Sequence, residues 1–515
     1  MRKNIFLLTF LFFFLNIAIS IAQKSLEASS AQATATTTGN GVNWMPVVAT
    51  SLNLTGTTKV LVEAIIEVEV SSGNSDINSI FRLSEGTNLS QTISRYVASK
   101  TYTDKGIVAI SFIFNYSTPF TGLKTFTLEH TKTTSGASKQ FDSKAIITAI
   151  EIASSAINLP NGQGTAALIS TSSTGYEAVA TTNKITLEKP ADIYVISTFS
   201  ANTVNASAIG AWSLKESIDN STFTDIPNSE VTRSIISSVA IGAVTIVTLI
   251  KNKPAGDYYY RLAHKVNDGT NITTTGATIS AVALRGTTAT GGNVFPAYSD
   301  FPLDATSAVD SFSTINSAPI TAPTNGFTDN KFFMHASYNM AASGSNVVYA
   351  AYQFASSAGG TLNSYEIQRY VPVDKTGSGG LIGIVNNINQ GDSFNASFQH
   401  KNSGGLGLLT TSNVNTIGFF LNSDPSLTLS IEENILDVNI NIYPNPSQEQ
   451  FYISNNVTDG ETFFKFYTVT GQLVHTLNLL PKTNTKVDVT KWNPGTYILK
   501  ATNNGITIAK KLIVE

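Results

Sequence analysis

Val108-Ala109-Ile110-Ser111-Phe112-Ile113-Phe114 is apolar on both of its alternating faces, the pattern of a strand held between two packed layers. Earlier in the chain Ile66-Glu67-Val68-Glu69-Val70 alternates cleanly, which predicts a strand with one wet face carrying Glu67 and Glu69, and Glu63 nearby. Turn clusters such as Ser71-Ser72-Gly73-Asn74-Ser75 and Lys265-Val266-Asn267-Asp268-Gly269 separate such runs. No long amphipathic helix is written after residue 22. Many short strands over ~120 residues predict a two-sheet β-sandwich.

The same order of features then recurs. Gly122 opens a strand that reaches His130; Gly256 and His264 occupy the matching place, the histidine 134 positions on, and Gly391 and His400 a further 136 on. Ahead of each lies an apolar run, Val108 to Phe114, Val244 to Ile250 and Leu381 to Val385. After each comes a final strand, Ile147 to Ile152, Ile279 to Leu284 and Thr416 to Leu421. Opening strands at Ile66 to Val70, Ile193 to Phe199 and Phe332 to Tyr338 match, as do Phe81-Arg82-Leu83, Trp212-Ser213-Leu214 and Tyr365-Glu366-Ile367. Such a period is too long for a solenoid or a propeller blade. The expectation is therefore all-β: tandem sandwich modules at 37–158, 159–292 and 293–425, a linker at 426–440, and a small β-sandwich at 441–515.

In the third module Tyr365, Gly383-Ile384-Val385, Gly391-Asp392 and Phe419-Phe420-Leu421 resemble jelly-roll domains of the C1q and TNF-like kind. That resemblance implies jelly-roll modules able to assemble as trimers.

The tail has its own pattern. Pro444 and Pro446 fix φ and remove two donors, so Tyr443-Pro444-Asn445-Pro446 is an extended entry. Phe451 to Ile453, Phe464 to Val469 and Val487 to Val489 alternate as strands; Thr470-Gly471 and Asn493-Pro494-Gly495 are turns. These residues, with Tyr497 and the terminal Lys510-Lys511, resemble the C-terminal sorting domain of the type IX secretion system of Bacteroidota. The resemblance implies recognition by the type IX machinery, removal of the domain near residues 422–439, and a product secreted or attached to the outer-membrane surface. The chain departs from that pattern in lacking a glycine just after Pro446 and in ending on Glu515.

The start agrees. Arg2 and Lys3 precede an apolar run from Ile5 to Ile19, and Ser20-Ile21-Ala22 offers the small residues of a signal-peptide cleavage site between Ala22 and Gln23. The run is shorter than the ~20 residues that span a bilayer. No second run of spanning length follows, so no transmembrane span is expected in the mature chain.

Composition narrows the function. Removal of residues 1–22 takes Lys+Arg from 32 to 30 against 35 acids, a net charge of −5, too weak and too spread for nucleic acid or an anionic membrane. With no cysteine the exported chain has no disulfides, thiolate metal sites or thiol nucleophile. His130, His264 and His400 sit at one repeat position, but no further ligand recurs at a fixed offset. Glu67 and Glu69, roughly 6.5–7 Å apart by strand rise, match a glycosidase span, yet the other modules carry no such pair. Trp44, Trp212 and Tyr258 to Tyr260 suit either a sugar-stacking platform or a core. We therefore expect no catalytic, cofactor or metal residues. The expected role is non-enzymatic, adhesin-like binding, with surface glycans or other cells as partners and avidity from the repeat; the alternatives are a trimerising surface assembly and a polysaccharide-active hydrolase.

Overall fold

The computed structural model describes residues 28–33, 43–72, 75–98, 105–132, 139–154, 158–204, 207–236, 241–284, 297–300, 305–307, 309–322, 330–343, 346–357, 361–372, 375–404, 407–421, 439–457, 460–503 and 506–515. Every element among them is a β-strand. The expected signal peptide with Ala22 and Gln23, and residues 426–438 of the linker, lie outside the described residues. The chain divides into two compact units, 1–427 and 428–515.

The middle module has the simplest layout. One sheet runs Gly242–Lys253, Ala191–Asn202, Ile272–Ala283, Asn161–Thr171; the other runs Ile185–Leu187, Gly256–Asp268, Ala208–Ser217, Thr224–Asp225, with Val231–Ile235 also on Ala208–Ser217. A four-strand layer and a six-strand layer, the latter including Glu177–Thr181 on Gly256–Asp268, with neighbours distant in sequence, give jelly-roll connectivity. The third module repeats it, with Thr376–Ile388, Asn330–Ser343 and Leu408–Phe420 in one layer and Ser313–Thr321, Ser393–Asn402, Val348–Ser357 and Ile367–Val371 in the other.

The first module reaches the same arrangement with strands that serve both layers. Met45–Ser72 and Lys105–Lys132 pair at Lys59 to Glu69 in one layer and at Met45 to Leu54 in the other, with register breaks between Leu54 and Lys59. Gly56, at φ 60, takes the corner in a conformation that disfavours a side chain.

The strand that is apolar on both faces explains how the modules sit together. Val108, Ile110 and Phe114 enter the core of their own sandwich, whereas Ile107, Ala109 and Ile113 enter a core shared by all three modules. Tyr194 and Ile196 do the same from the second module and Phe333 from the third. The second packed layer is thus a neighbouring module.

That arrangement corrects the reading of the acidic strand. Glu63 and Glu67 share a face with Leu61 and Ile65, and each is 1% exposed; the face expected to be wet is covered by the next modules. Register also shifts one match. Leu61 lies opposite Ile150, Tyr194 opposite Val282 and Phe333 opposite Phe419, so Val60 rather than Ile66 is the counterpart of Ile193 and Phe332. A long apolar alternation carries no mark of its own register.

The C-terminal unit is a two-layer sandwich by itself. Ile440–Tyr443, Gln450–Asn455 and Thr483–Asp488 form one sheet; Leu473–Leu479, Thr462–Thr468, Gly495–Asn503 and Ile506–Val514 form the other. Phe451, Ile453, Phe464, Phe466, Leu499 and Leu512 fill the space between them.

Candidate functional site

Three short strands carry one arginine each at matching places: Ile93-Ser94-Arg95-Tyr96-Val97, Val231-Thr232-Arg233-Ser234-Ile235 and Ile367-Gln368-Arg369-Tyr370-Val371. In all three the arginine shares the buried face with the two apolar ends, at 4–6% exposure. The residue before it reaches the next module. The Ser94 N–H donates to Ser200 Oγ at 2.6 Å, the Thr232 N–H to Asn339 Oδ1 at 3.2 Å, and the Gln368 N–H to Glu67 Oε2 at 2.6 Å. These bonds run from module one to two, two to three and three to one, so the modules close head to tail into a ring. One strand over, the Ser111 N–H on Thr198 Oγ1 and the Val247 N–H on Ser337 Oγ repeat the first two joints.

Each arginine is seated against a glycine that opens the following strand. A Cβ on Gly106 would stand 2.6 Å from Arg95 Nε, on Gly242 1.8 Å from Arg233 Nε, and on Gly377 2.7 Å from Arg369 Cζ. Arg233 Nη1 donates to the Ala243 carbonyl at 3.1 Å, and Arg369 Nη1 to that of Ser378. Where the three strands converge they border a cavity of about 340 Å³. Its lining includes Arg95, Arg233, Arg369 and Lys375, with Tyr96 and Tyr370, and no carboxylate or histidine among the described residues. Tyr96 turns its hydroxyl to Asp76. Half-exposed Lys375 and exposed Ile236 place the rim at solvent.

A second meeting point of the three modules is buried. The Tyr194 hydroxyl donates to Glu63 Oε1 at 2.8 Å, and His335 Nδ1 lies 2.9 Å from that hydroxyl and 3.0 Å from Glu63 Oε2. Burial, then the Glu63 carboxylate, pushes the Tyr194 hydroxyl well above the usual phenol range, so it stays a donor.

The repeated histidines are in the module interiors. His130, His264 and His400 are 2%, 0% and 1% exposed. Thr274 Oγ1 holds His264 Nδ1 and Thr411 Oγ1 holds His400 Nδ1, each at 2.8 Å. Burial lowers all three to about 4. Among the described residues no group of three or more potential ligands is placed to hold a metal. Glu67 pairs with Lys105 at 3.1 Å and Lys144 at 3.5 Å, and Glu69 with Lys105 at 3.6 Å. Trp212 and Tyr260 are core, with the indole N–H on Thr274 Oγ1 at 2.8 Å; Trp44 lies under the Arg82 guanidinium.

In the C-terminal unit Asn445 is the clasp of the entry segment. Its Nδ2 donates to the Lys511 carbonyl and its Oδ1 accepts from the Ile513 N–H, both at 2.8 Å. Pro444 and Pro446 flank it in cis. Tyr443 stacks on Tyr452, Gly471 sits in the hairpin turn at φ 86, and Tyr497, two residues after Gly495, packs on Trp492. Lys511 is exposed and Lys510 half-buried on the last strand.

Residues 441–515 match the family described as the secretion system C-terminal sorting domain. They are a type IX sorting domain: the chain engages that machinery and is exported, to be secreted or attached to the outer-membrane surface. No curated protein matches the chain. Among solved structures it is similar to the N-terminal CBM22-1-CBM22-2 tandem domain of Paenibacillus barcinonensis Xyn10C, at 12% identity over 51% of this chain and 99% of that one, TM-score 0.17. It is also similar to an archaeal virus protein with a triple jelly-roll fold, at 10% identity over 78% and 91%, TM-score 0.18. At such scores neither likeness bears on fold or function. Among the described residues no helix is long and apolar enough to cross a membrane.

Of these features the arginine strands and the Glu63–Tyr194–His335 contact were not anticipated from sequence. The arginines had a signal: an arginine between apolar residues, once per module, at the repeat spacing.

Proposed function

We propose that the chain is an exported, non-enzymatic binding protein, adhesin-like in role, whose three modules act as one receptor. The observation that carries this reading is the solvent-reaching cavity of about 340 Å³ bordered by all three modules, a volume in the range of small-ligand sites. Its described lining offers cations, hydroxyls and rings that can contact a ligand. The carboxylates whose spacing suggested a hydrolase are engaged with lysines and the module joints. The mating edges of the modules meet within the chain, so assembly between chains has no use for them.

Surface glycans and other cells are the partners to test. The exported product should bind whole cells or a polysaccharide panel saturably, without releasing reducing ends. Release of reducing sugar, or no saturable binding to any of them, would overturn the proposal.

A further inference from the structure

We infer that the type IX machinery holds the sorting domain by the outer face of its four-strand sheet, against an acidic protein surface with an apolar centre. The site lies in the C-terminal unit and is independent of the binding proposal above. Leu473–Leu479, Thr462–Thr468, Gly495–Asn503 and Ile506–Val514 contain no aspartate or glutamate. Their outward residues include Lys465, Lys500 and Lys511, all exposed, beside Phe463, Leu473 and Ile498 at 46%, 49% and 38% exposure. Lys465 lies directly opposite Lys500, and Ile498 stands between Tyr467 and Lys511 in the next row. Glu461 and Glu515 flank the face at its ends, each four residues along the chain from Lys465 or Lys511, about 13 Å by strand rise.

This arrangement works against the domain taken by itself. Like charges directly opposite across a strand pair, about 5 Å apart, are destabilising. No ion pair relieves Lys465, Lys500 or Lys511; Lys500 has only the Tyr467 ring, 5.7 Å from its Nζ. Apolar side chains clustered in water between such cations mark an interaction surface. A partner with carboxylates around an apolar centre answers both features and selects this face by charge. The outer face of the three-strand sheet is different: Lys486 has Asp488 two residues along the same strand, and the Tyr443 hydroxyl accepts from Asn484 Nδ2 at 2.8 Å. Basic clusters that hold lipid carry about four to eight cations, and the three lysines here fall short of that, which favours a protein surface.

The test is export of the full chain from a type IX-secreting bacterium, measured as product in the medium and on the cell surface against chain retained inside. Lys465→Glu separates docking from folding, because it turns the repelling pair with Lys500 into an attracting one. The purified variant should therefore unfold no earlier than the parent, while its export falls by about tenfold or more. Lys465→Arg keeps the charge and should export like the parent. Lys486→Glu, the same reversal on the other sheet, should do so as well.

Parent-level export of Lys465→Glu would sink the inference, and so would an equal loss for Lys486→Glu. Earlier unfolding of Lys465→Glu alongside its loss of export would assign the effect to folding and overturn it too. The purified parent chain should not sediment with phosphatidylglycerol vesicles. Sedimentation that Lys465→Glu abolishes would give the face to lipid instead of protein.

Discussion

The module interiors and the ring joint treat the repeat in opposite ways. His130, His264 and His400 are the same residue in the same buried setting, because each copy must satisfy the same local geometry around its own strand. At the shared axis the three copies face each other, and there the equivalent positions Glu63, Ile196 and His335 differ, while Tyr194, two residues before Ile196, bonds to both Glu63 and His335. Three identical side chains at such a point would set like against like, three carboxylates or three imidazoles in a dry space. A single chain escapes that constraint, since each copy can supply a different member of one hydrogen-bonded group. A homotrimer of identical modules could not.

Removing the axial hydroxyl is the strongest way to break this contrast. Tyr194→Ala opens a cavity and takes one of the two hydrogen-bond partners from buried Glu63, and should cost about 3–5 kcal/mol. Because the core is shared, the loss should appear in one cooperative urea transition for the whole first unit. Separate transitions for the three modules, with only the second weakened, would refute the shared core. The next effect lies at the arginine seats. Gly242→Ala should cost about 1–3 kcal/mol, more than the same change at Gly377, since its Cβ meets Arg233 at 1.8 Å against 2.7 Å for Arg369. Equal melting temperatures for the two variants would count against the seating.

The interior histidines give a pH signature. Burial holds each at about 4 against 6.5 for the free side chain, so the unfolded chain takes up protons that the fold refuses. Stability should be full above pH 6.5 and decline as pH falls toward 4, by up to about 1.4 kcal/mol per pH unit for each histidine. His264→Asn should remove about a third of that slope, read as urea midpoints between pH 7 and pH 5. An unchanged slope would place the acid sensitivity elsewhere.

What the sequence revealed follows the same division. The histidines, the doubly apolar strands and the tail motifs were legible because their signal is local: a residue, a period of two, a turn. The sandwich layers were legible from the alternation of Val108 to Phe114. What lay across the second face was not, since an apolar stripe reads the same whether its own sheet or another module covers it. Glu63 and Glu67 misled for that reason; an alternating acid implies water only if no neighbour arrives. Of the candidate site, none of Arg95, Arg233 or Arg369 was read as one, because five-residue strands hold too little pattern to be noticed until the ring brings them together.

The smallest effect separates the two halves of each joint. The donor is always a backbone N–H, at Ser94, Thr232 and Gln368, while the acceptor varies among Ser200, Asn339 and Glu67. If the joint needs only an oxygen at that place, acceptors should be exchangeable where space allows. Asn339→Ser copies the solution of the first joint with a smaller side chain and should cost less than about 1 kcal/mol, whereas Asn339→Ala leaves the Thr232 N–H unpaired in a closed seam and should cost about 1–3 kcal/mol. The difference is small but has a definite sign, measurable as paired urea midpoints. Identical values for serine and alanine would mean that packing alone, not the bond, holds the second and third modules together.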